Sequence, residues 1–267
     1  MIRLAAFDID GTLVPASTDA LALETVLALQ QLRRQGIATV ITTGRQWQQV
    51  PKALKNLGFD YFVLLNGTHI TDCNGRTLHK EQISLENAQN LMRDIAGQDR
   101  SLYLRFESGL YSVLEQERLR PFGLDPENVP EGLLEGFLYE SPLEAGDLPM
   151  AGLAHIPVEE EALYCQNYPQ LDFLRVQGGK LCDINPKGIS KATGLQQICR
   201  LTGIDIAQTI AFGDDINDLA LIQTAGIGVA MGNALPEVQA NADYVTASCE
   251  DLGVVTALRH FGILGSK

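Results

Sequence analysis

"LAAFDIDGTLV", residues Leu4 to Val14, opens as a buried strand and closes on two carboxylates two positions apart, followed at once by Gly11 and Thr12. In an extended chain residues i and i+2 point the same way. Asp8 and Asp10 are therefore expected on one face, with Phe7 and Ile9 on the other. Two like charges so placed repel each other, and a divalent cation is the simplest group to hold them. The apolar run before them sets the fold class. "IRLAAFDI", "IATVITTG" and "YFVLLNG" are apolar on both faces, the mark of parallel strands covered by helices on either side.

Working outward, the segments between these strands read as helices. "TDALALETVLALQQLRRQG" places Leu21, Val26, Leu29 and Leu32 at helical spacing and stops at Gly36, and "QQVPKALKNLG" stops at Gly58. The alternation breaks near residue 80. "SLYLRFESGLYSVLE" reads as a hairpin turning at Glu107-Ser108-Gly109, and the Pro-, Gly- and Glu-rich run 121–150 reads as loop-bearing surface. After "GGKLCDINPKG" the strand–helix alternation returns, with "QTIAFGDD" and "IGVAM" as strands and "NDLALIQTAG" and "LPEVQANA" as helices. The expected organisation is an α/β domain of residues 1–81 and 186–267, interrupted by an inserted domain, 82–185.

Composition limits the partners. The 267 residues carry a net charge of −13, with 45% hydrophobic and 20% charged residues, and the pI is near 4.7. That argues against nucleic acid and against an anionic membrane surface, but not against a phosphorylated metabolite, because a local cation overrides the global field. No apolar run reaches the roughly 18 residues of a membrane span. Acids stand at positions 8 and 10, where a secretory leader needs its apolar centre. The five cysteines, Cys73, Cys165, Cys182, Cys199 and Cys249, have no metal-knuckle or redox spacing. They read as small buried hydrophobes in a reducing compartment, so a cytoplasmic location is expected, as monomer or small homo-oligomer.

Four polar clusters fall at predicted strand ends: Asp8/Asp10/Thr12, Thr42/Thr43/Gly44, Lys187 or Lys191, and Asp214/Asp215/Asn217/Asp218. Ligands of open parallel sheets collect at the carboxyl ends of the strands. Several acids and a lysine converging there suit a hard cation with oxygen ligands, Mg²⁺ beside a substrate phosphate in particular. No GxxxxGK[ST] loop is present, which excludes a nucleoside-triphosphate cradle of that type. Either threonine can instead cap the helix after Gly44. Arg45 is equally open to a structural role or to one facing the insert, and Trp47 to filling the core or packing beneath the insert. Asn66-Gly67 reads as a turn, with substrate contact as the lesser alternative, and the four histidines are dispersed.

With these motifs assembled, the sequence resembles the haloacid dehalogenase-like phosphatases of the Cof type (subclass IIB). "DIDGTL" is similar to the first family motif, "ITTGR" to the second, "PKGISKATGLQQI" to the third and "GDDINDLALI" to the fourth; "GIGVAMGNALPEVQANADYVT" is similar to the stretch that follows. The motifs run the length of the core in order and leave the insert unmatched. The resemblance implies a Rossmann-like doubly wound sheet with an α/β cap that sets specificity, and a Mg²⁺-dependent phosphatase of small phosphorylated metabolites.

It also implies roles. Asp8 is the nucleophile that becomes an aspartyl-phosphate, and Asp10 protonates the leaving oxygen and then activates water. Asp8, the Asp10 backbone carbonyl and Asp214 hold Mg²⁺. Thr43, Gly44 and Asn217 bind the substrate, and Lys191 offsets the phosphoryl charge. Asp218 supports Lys191 or a metal-bound water, with Asp215 beside it. One departure is Ala192, where the family usually has glycine after the lysine. A phosphomutase on the same core, a phosphonate hydrolase and a phospho-accepting signalling domain are the rival readings. The second needs a cap lysine and finds only Lys180, at the boundary, while the third lacks a second acid and a cap.

Overall fold

The computed structural model describes residues 1–15, 20–98, 100–113, 134–137, 143, 147–176 and 181–265. They form two compact units, Met1–His79 with Ile189–Lys267, and Lys80–Gly188. Strands β1 (Leu4–Phe7), β2 (Ala38–Thr42), β3 (Tyr61–Leu64), β4 (His69–Asp72) and β5 (Thr77–Lys80) come first. The insert carries β6 (Leu102–Arg105), β7 (Leu110–Ser112), β8 (Leu134–Phe137), β9 (Ala151–His155), β10 (Leu171–Val176) and β11 (Leu181–Pro186). Strands β12 (Thr209–Gly213), β13 (Ile227–Ala230) and β14 (Tyr244–Val245) follow it.

In the discontinuous unit the sheet order is β14-β13-β12-β1-β2-β3-β4-β5. The six strands from β14 to β3 pair in parallel, and β4 turns back antiparallel on β3. β1 is the topological switch point, because the chain runs from it to β2 on one side and later returns as β12 on the other. Its period of two divides it between two cores. Ala5 and Phe7 join Ile41, Phe62 and Phe212 under the helices Leu23–Arg34 and Gly253–His260. Leu4 and Ala6 join Val40, Val63 and Ala211 under the helix Lys191–Thr202. Burial on both faces is what the unbroken apolar runs require. Trp47 belongs to the first of these cores, its ring edge-on to Phe62 at 5.1 Å.

The insert is a six-stranded sheet of order β10-β11-β9-β6-β7-β8. One face packs on Ile83, Ala88, Leu91, Tyr164 and Tyr168, from and beside the helices Leu85–Leu91 and Glu161–Asn167. Much of the run 121–150 lies outside the described residues, as does Lys180; within the run, Leu134–Phe137 is a strand paired in parallel with β7, where loop was expected. All five cysteines are free, but Cys73 and Cys165 are exposed, which corrects the reading of all five as buried. Among the described residues no helix is long and apolar enough to cross a membrane.

Candidate active site

The register of the parallel strands builds the site. Phe7 is level with Ile41 and with Phe212, so Asp8, Thr42 and Gly213 leave the sheet along one edge. Asp8 prolongs the ladder by one bond, its N–H donating to the Phe212 carbonyl at 3.1 Å, and is 5% exposed. The chain then turns. Leu13 and Val14 donate to the Ile9 carbonyl, and Gly11 takes φ +79°. The strand β1 itself ends at Phe7, and Asp10 stands at the start of the turn. Asp10 is 59% exposed at its side chain and held by Arg45, whose Nε donates to it at 2.9 Å while Nη2 reaches the other oxygen.

Lys191 resolves the choice between the two lysines. It is 1% exposed, and its Nζ donates to Asp8 Oδ1 and Asp218 Oδ1, both at 2.7 Å. Lys187 is an exposed residue of the insert that pairs with Asp172. Lys191 opens its helix behind a capping box of Ser190 and Thr193. A cation at a helix N-terminus is disfavoured by the dipole, so the two carboxylates, not the helix, hold it there. Ala192 is buried in the same turn, its methyl accommodated.

Asp218 is fully buried and doubly engaged. Oδ1 meets Lys191, and Oδ2 accepts the N–H groups of Asp214 and Asp215 at 3.2 Å each. Asp214 is fixed from the other side by Thr12, whose hydroxyl donates to Oδ1 at 2.9 Å. Gly11 is needed beside it, because a Cβ there would lie 2.2 Å from Asp214 Oδ2. Asp215 is exposed and caps the short turn Ile216–Asp218.

Carboxylate oxygens of Asp8, Asp214 and Asp218 lie within 4.8 Å of one another. Burial lifts the Asp8 carboxyl well above the ordinary carboxylate range, against the pull of Lys191 and with added repulsion from Asp218. Burial, with Asp218 beside it, pushes Asp214 up to about 7. Burial also disfavours the Lys191 ammonium, but Asp218 and Asp8 outweigh it and keep its pKa above the usual lysine value. Three acids share one lysine, so the site is short of positive charge. A hard divalent cation with oxygen ligands fits that donor set.

Of the other predicted residues, Asn217 and Gly44 meet at Asn66 and Thr43 meets Arg45. Asn217 Nδ2 donates to Asn66 Oδ1 at 3.0 Å, and Asn66 lies 3.3 Å from where a Cβ on Gly44 would be. The Thr43 hydroxyl accepts the Arg45 N–H at 3.2 Å, while the Thr42 hydroxyl is buried without a partner.

The family model described as haloacid dehalogenase-like hydrolase matches residues 5–142 and 153–258. The chain belongs to the haloacid dehalogenase-like hydrolases. Within them it is an enzyme of the phosphatase kind, in the Cof-type subclass IIB branch. It is 32% identical over 276 residues to "Putative phosphatase YkrA" of Bacillus subtilis (strain 168), covering 98% of each chain. It is 27% identical to the HMP-PP phosphatase of Serratia proteamaculans (strain 568), over 98% of this chain and 96% of the relative. Among solved structures, the HAD subclass IIB sugar phosphatase BT4131 superposes with a TM-score of 0.84 at 27% identity, over 98% of this chain and 100% of that one.

Some residues of this haloacid dehalogenase-like site escaped the sequence reading. Asn233 and Cys249 had no role assigned, yet Asn233 Nδ2 donates to the Gly11 carbonyl at 2.9 Å and its Oδ1 accepts the Cys249 N–H at 2.8 Å. The Cys249 thiol donates to the Thr12 carbonyl at 3.1 Å. Asn233 stands in the stretch after the fourth motif and Cys249 just beyond it, both more than 200 positions from the turn they brace. Asn66, expected in a turn or against substrate, has a φ of +54°, which asparagine tolerates, and the Asn-Gly pair is the available signal.

Proposed function

We propose that this enzyme hydrolyses small phosphorylated metabolites through an aspartyl-phosphate on Asp8, with Mg²⁺ as cofactor. The observation that carries the reading is the buried lysine bonded to two aspartates, with a third within reach. Spontaneous phosphate-monoester hydrolysis is slow enough that enzymes reach accelerations of about 10²¹-fold. Acid–base help supplies only about 10²–10⁴ of that, so covalent and electrostatic catalysis carry the rest.

Asp8 attacks phosphorus in line, forming an oxygen–phosphorus bond as the bond to the leaving oxygen breaks. Asp10 gives that oxygen a proton. It then takes one from water, which attacks the aspartyl-phosphate and releases phosphate and free Asp8. Because Arg45 occupies both Asp10 oxygens in the resting site, Asp10 must exchange that partner for the leaving oxygen. Lys191 opposes the burial that lifts the Asp8 carboxyl and so favours its ionised form, and it faces the charge of the transferring phosphoryl. Asp218, its oxygens already taken, positions Lys191 and the Asp214 backbone. Thr43, Gly44 and Asn217 line the phosphoryl side. Asp8, Asp214 and the Asp10 carbonyl would hold Mg²⁺, which when bound would supply charge neutralisation and Lewis acidity. The insert selects among metabolites, and the protein works in the cytoplasm.

The test is turnover of p-nitrophenyl phosphate with Mg²⁺ and with excess chelator. Steady turnover abolished by chelation and restored by Mg²⁺ is expected. A single stoichiometric phosphorylation without turnover would make the chain a switch instead.

A further inference from the structure

Strands β12, β13 and β14 carry the carboxyl edge of the core sheet onward from Asp8. Gly213 is level with Ala230, and Ala230 with Val245. The loops that leave β13 and β14 therefore start from the same edge, and they bring Asn233 and Cys249 to the turn after Asp10. Asn233 Nδ2 donates to the Gly11 carbonyl at 2.9 Å, and its Oδ1 accepts the Cys249 N–H at 2.8 Å. The Cys249 thiol donates to the next carbonyl, that of Thr12, at 3.1 Å. Burial, with Asp214 and Glu250 nearby, pushes this thiol up to about 12, so it keeps the proton it donates.

Gly11 is the reason two successive carbonyls need tying. Its φ of +79° is open to glycine because it has no Cβ, and the same freedom lets the peptide after it turn over. Thr12 hangs from that peptide, and its hydroxyl donates to Asp214 Oδ1 at 2.9 Å. Among the described residues Thr12 alone donates to the Asp214 carboxylate. The Asp214 backbone is held separately: its N–H donates to Asp218 Oδ2 at 3.2 Å, and its carbonyl accepts the Leu235 N–H at 2.9 Å. A turn that rolled over at Gly11 would leave that backbone in place and carry the Thr12 hydroxyl off the carboxylate.

We propose that Asn233 and Cys249 are positioning residues for a divalent cation. By tying the Gly11 and Thr12 carbonyls they lock the turn in the form that aims the Asp214 carboxylate. The inference rests on the reading that Asp8, Asp214 and the Asp10 carbonyl would hold Mg²⁺. Neither Asn233 nor Cys249 is one of those ligands; each acts through the turn. The brace calls for donors rather than charge, since a carboxylate at either place would repel the carbonyl it faces.

The test is binding of Mn²⁺, which takes the same kinds of oxygen ligand as Mg²⁺, to the full chain without substrate. The electron paramagnetic resonance of the free ion reads it. Asn233→Ala should weaken Mn²⁺ binding about tenfold and Cys249→Ala about threefold, the scale of one or two lost hydrogen bonds. Cys249→Ser restores a donor and should bind as the wild type does. Thr12→Val should weaken binding at least as much as Asn233→Ala, and combining the two should add little, because effects routed through one contact are not additive. Should Asn233→Ala fail to fold, the two Cys249 variants carry the test. Mn²⁺ affinity unchanged by Asn233→Ala, equal losses for Cys249→Ala and Cys249→Ser, or additive losses in the double variant would each overturn the inference and leave the cation reading standing. Absence of Mn²⁺ binding by the wild type would overturn the cation reading and this inference with it.

Discussion

The carboxylate cluster of the core and the polar face of the insert are both buried and both charged, but they treat their polar atoms in opposite ways. In the core, Lys191 bonds two aspartates, Asp218 has both oxygens engaged, and Thr12 holds Asp214. In the insert, Arg105 and Asp183 pair, while three donors around them, Tyr103 Oη, Arg105 Nε and Asn185 Nδ2, have no partner. A site that carries out one reaction needs its charges fixed before substrate arrives, since fixed dipoles need not reorganise during reaction. The cluster is internally satisfied and the face is not.

The comparison can be broken first at its reactive centre. Asp8→Asn should abolish turnover and phosphoenzyme formation, because an amide oxygen is a poor attacker on phosphorus. Asp10→Asn leaves the nucleophile in place and should slow steady hydrolysis by about 10²–10⁴-fold. With p-nitrophenyl phosphate, whose leaving group hardly needs a proton, it should accumulate a hydroxylamine-labile phosphoenzyme. Mass spectrometry of quenched protein should place the added phosphoryl on the peptide holding Asp8; label on Asp214 or a serine would reassign the nucleophile.

Next in size is the buried ion pair. Lys191→Met strands Asp8 and Asp218 and should cost about 3–5 kcal/mol in urea unfolding, the usual penalty for removing one partner of a buried pair. Lys187→Met, at the exposed Asp172 pair, should leave the unfolding midpoint where it is. Equal effects at the two lysines would mean that the core charges are no more preorganised than surface ones.

Smaller still is the turn beneath Asp214. Gly11 and Gly36 both have left-handed φ, +79° and +74°, but a Cβ meets Asp214 at the first and nothing within 4 Å at the second. Gly36→Ala should lose only the backbone cost of an alanine at positive φ, about 1–2 kcal/mol. Gly11→Ala should add to that a several-fold rise in the Mg²⁺ concentration for half-maximal activity, read by titration. An unchanged Mg²⁺ requirement would separate the turn from the cation.

Much of this protein follows from local pattern. Strands apolar on both faces can be stable only between two helical layers, and β1, β2, β3 and β12 are such strands. Acids, threonines and a lysine at strand ends could be placed on one edge because parallel strands align their carboxyl ends. Where the strand stops is not legible: β1 ends at Phe7, and that Asp10 meets Arg45, 35 positions on, is a contact local pattern does not give. Between Lys187 and Lys191, four residues apart and alike in chemistry, only the resemblance of the third motif favours Lys191 in the sequence. Contacts 183 and 27 positions away, to Asp8 and Asp218, decide it. The brace of Asn233 and Cys249 under Gly11 and Thr12 joins segments more than 200 residues apart. On the insert, alternation in β6 and β11 is visible in the letters, but which donors go unpaired depends on what each one meets across the sheet. Backbone period is a property of neighbours in sequence; burial and hydrogen-bond satisfaction are properties of neighbours in space, and those the tertiary structure alone decides.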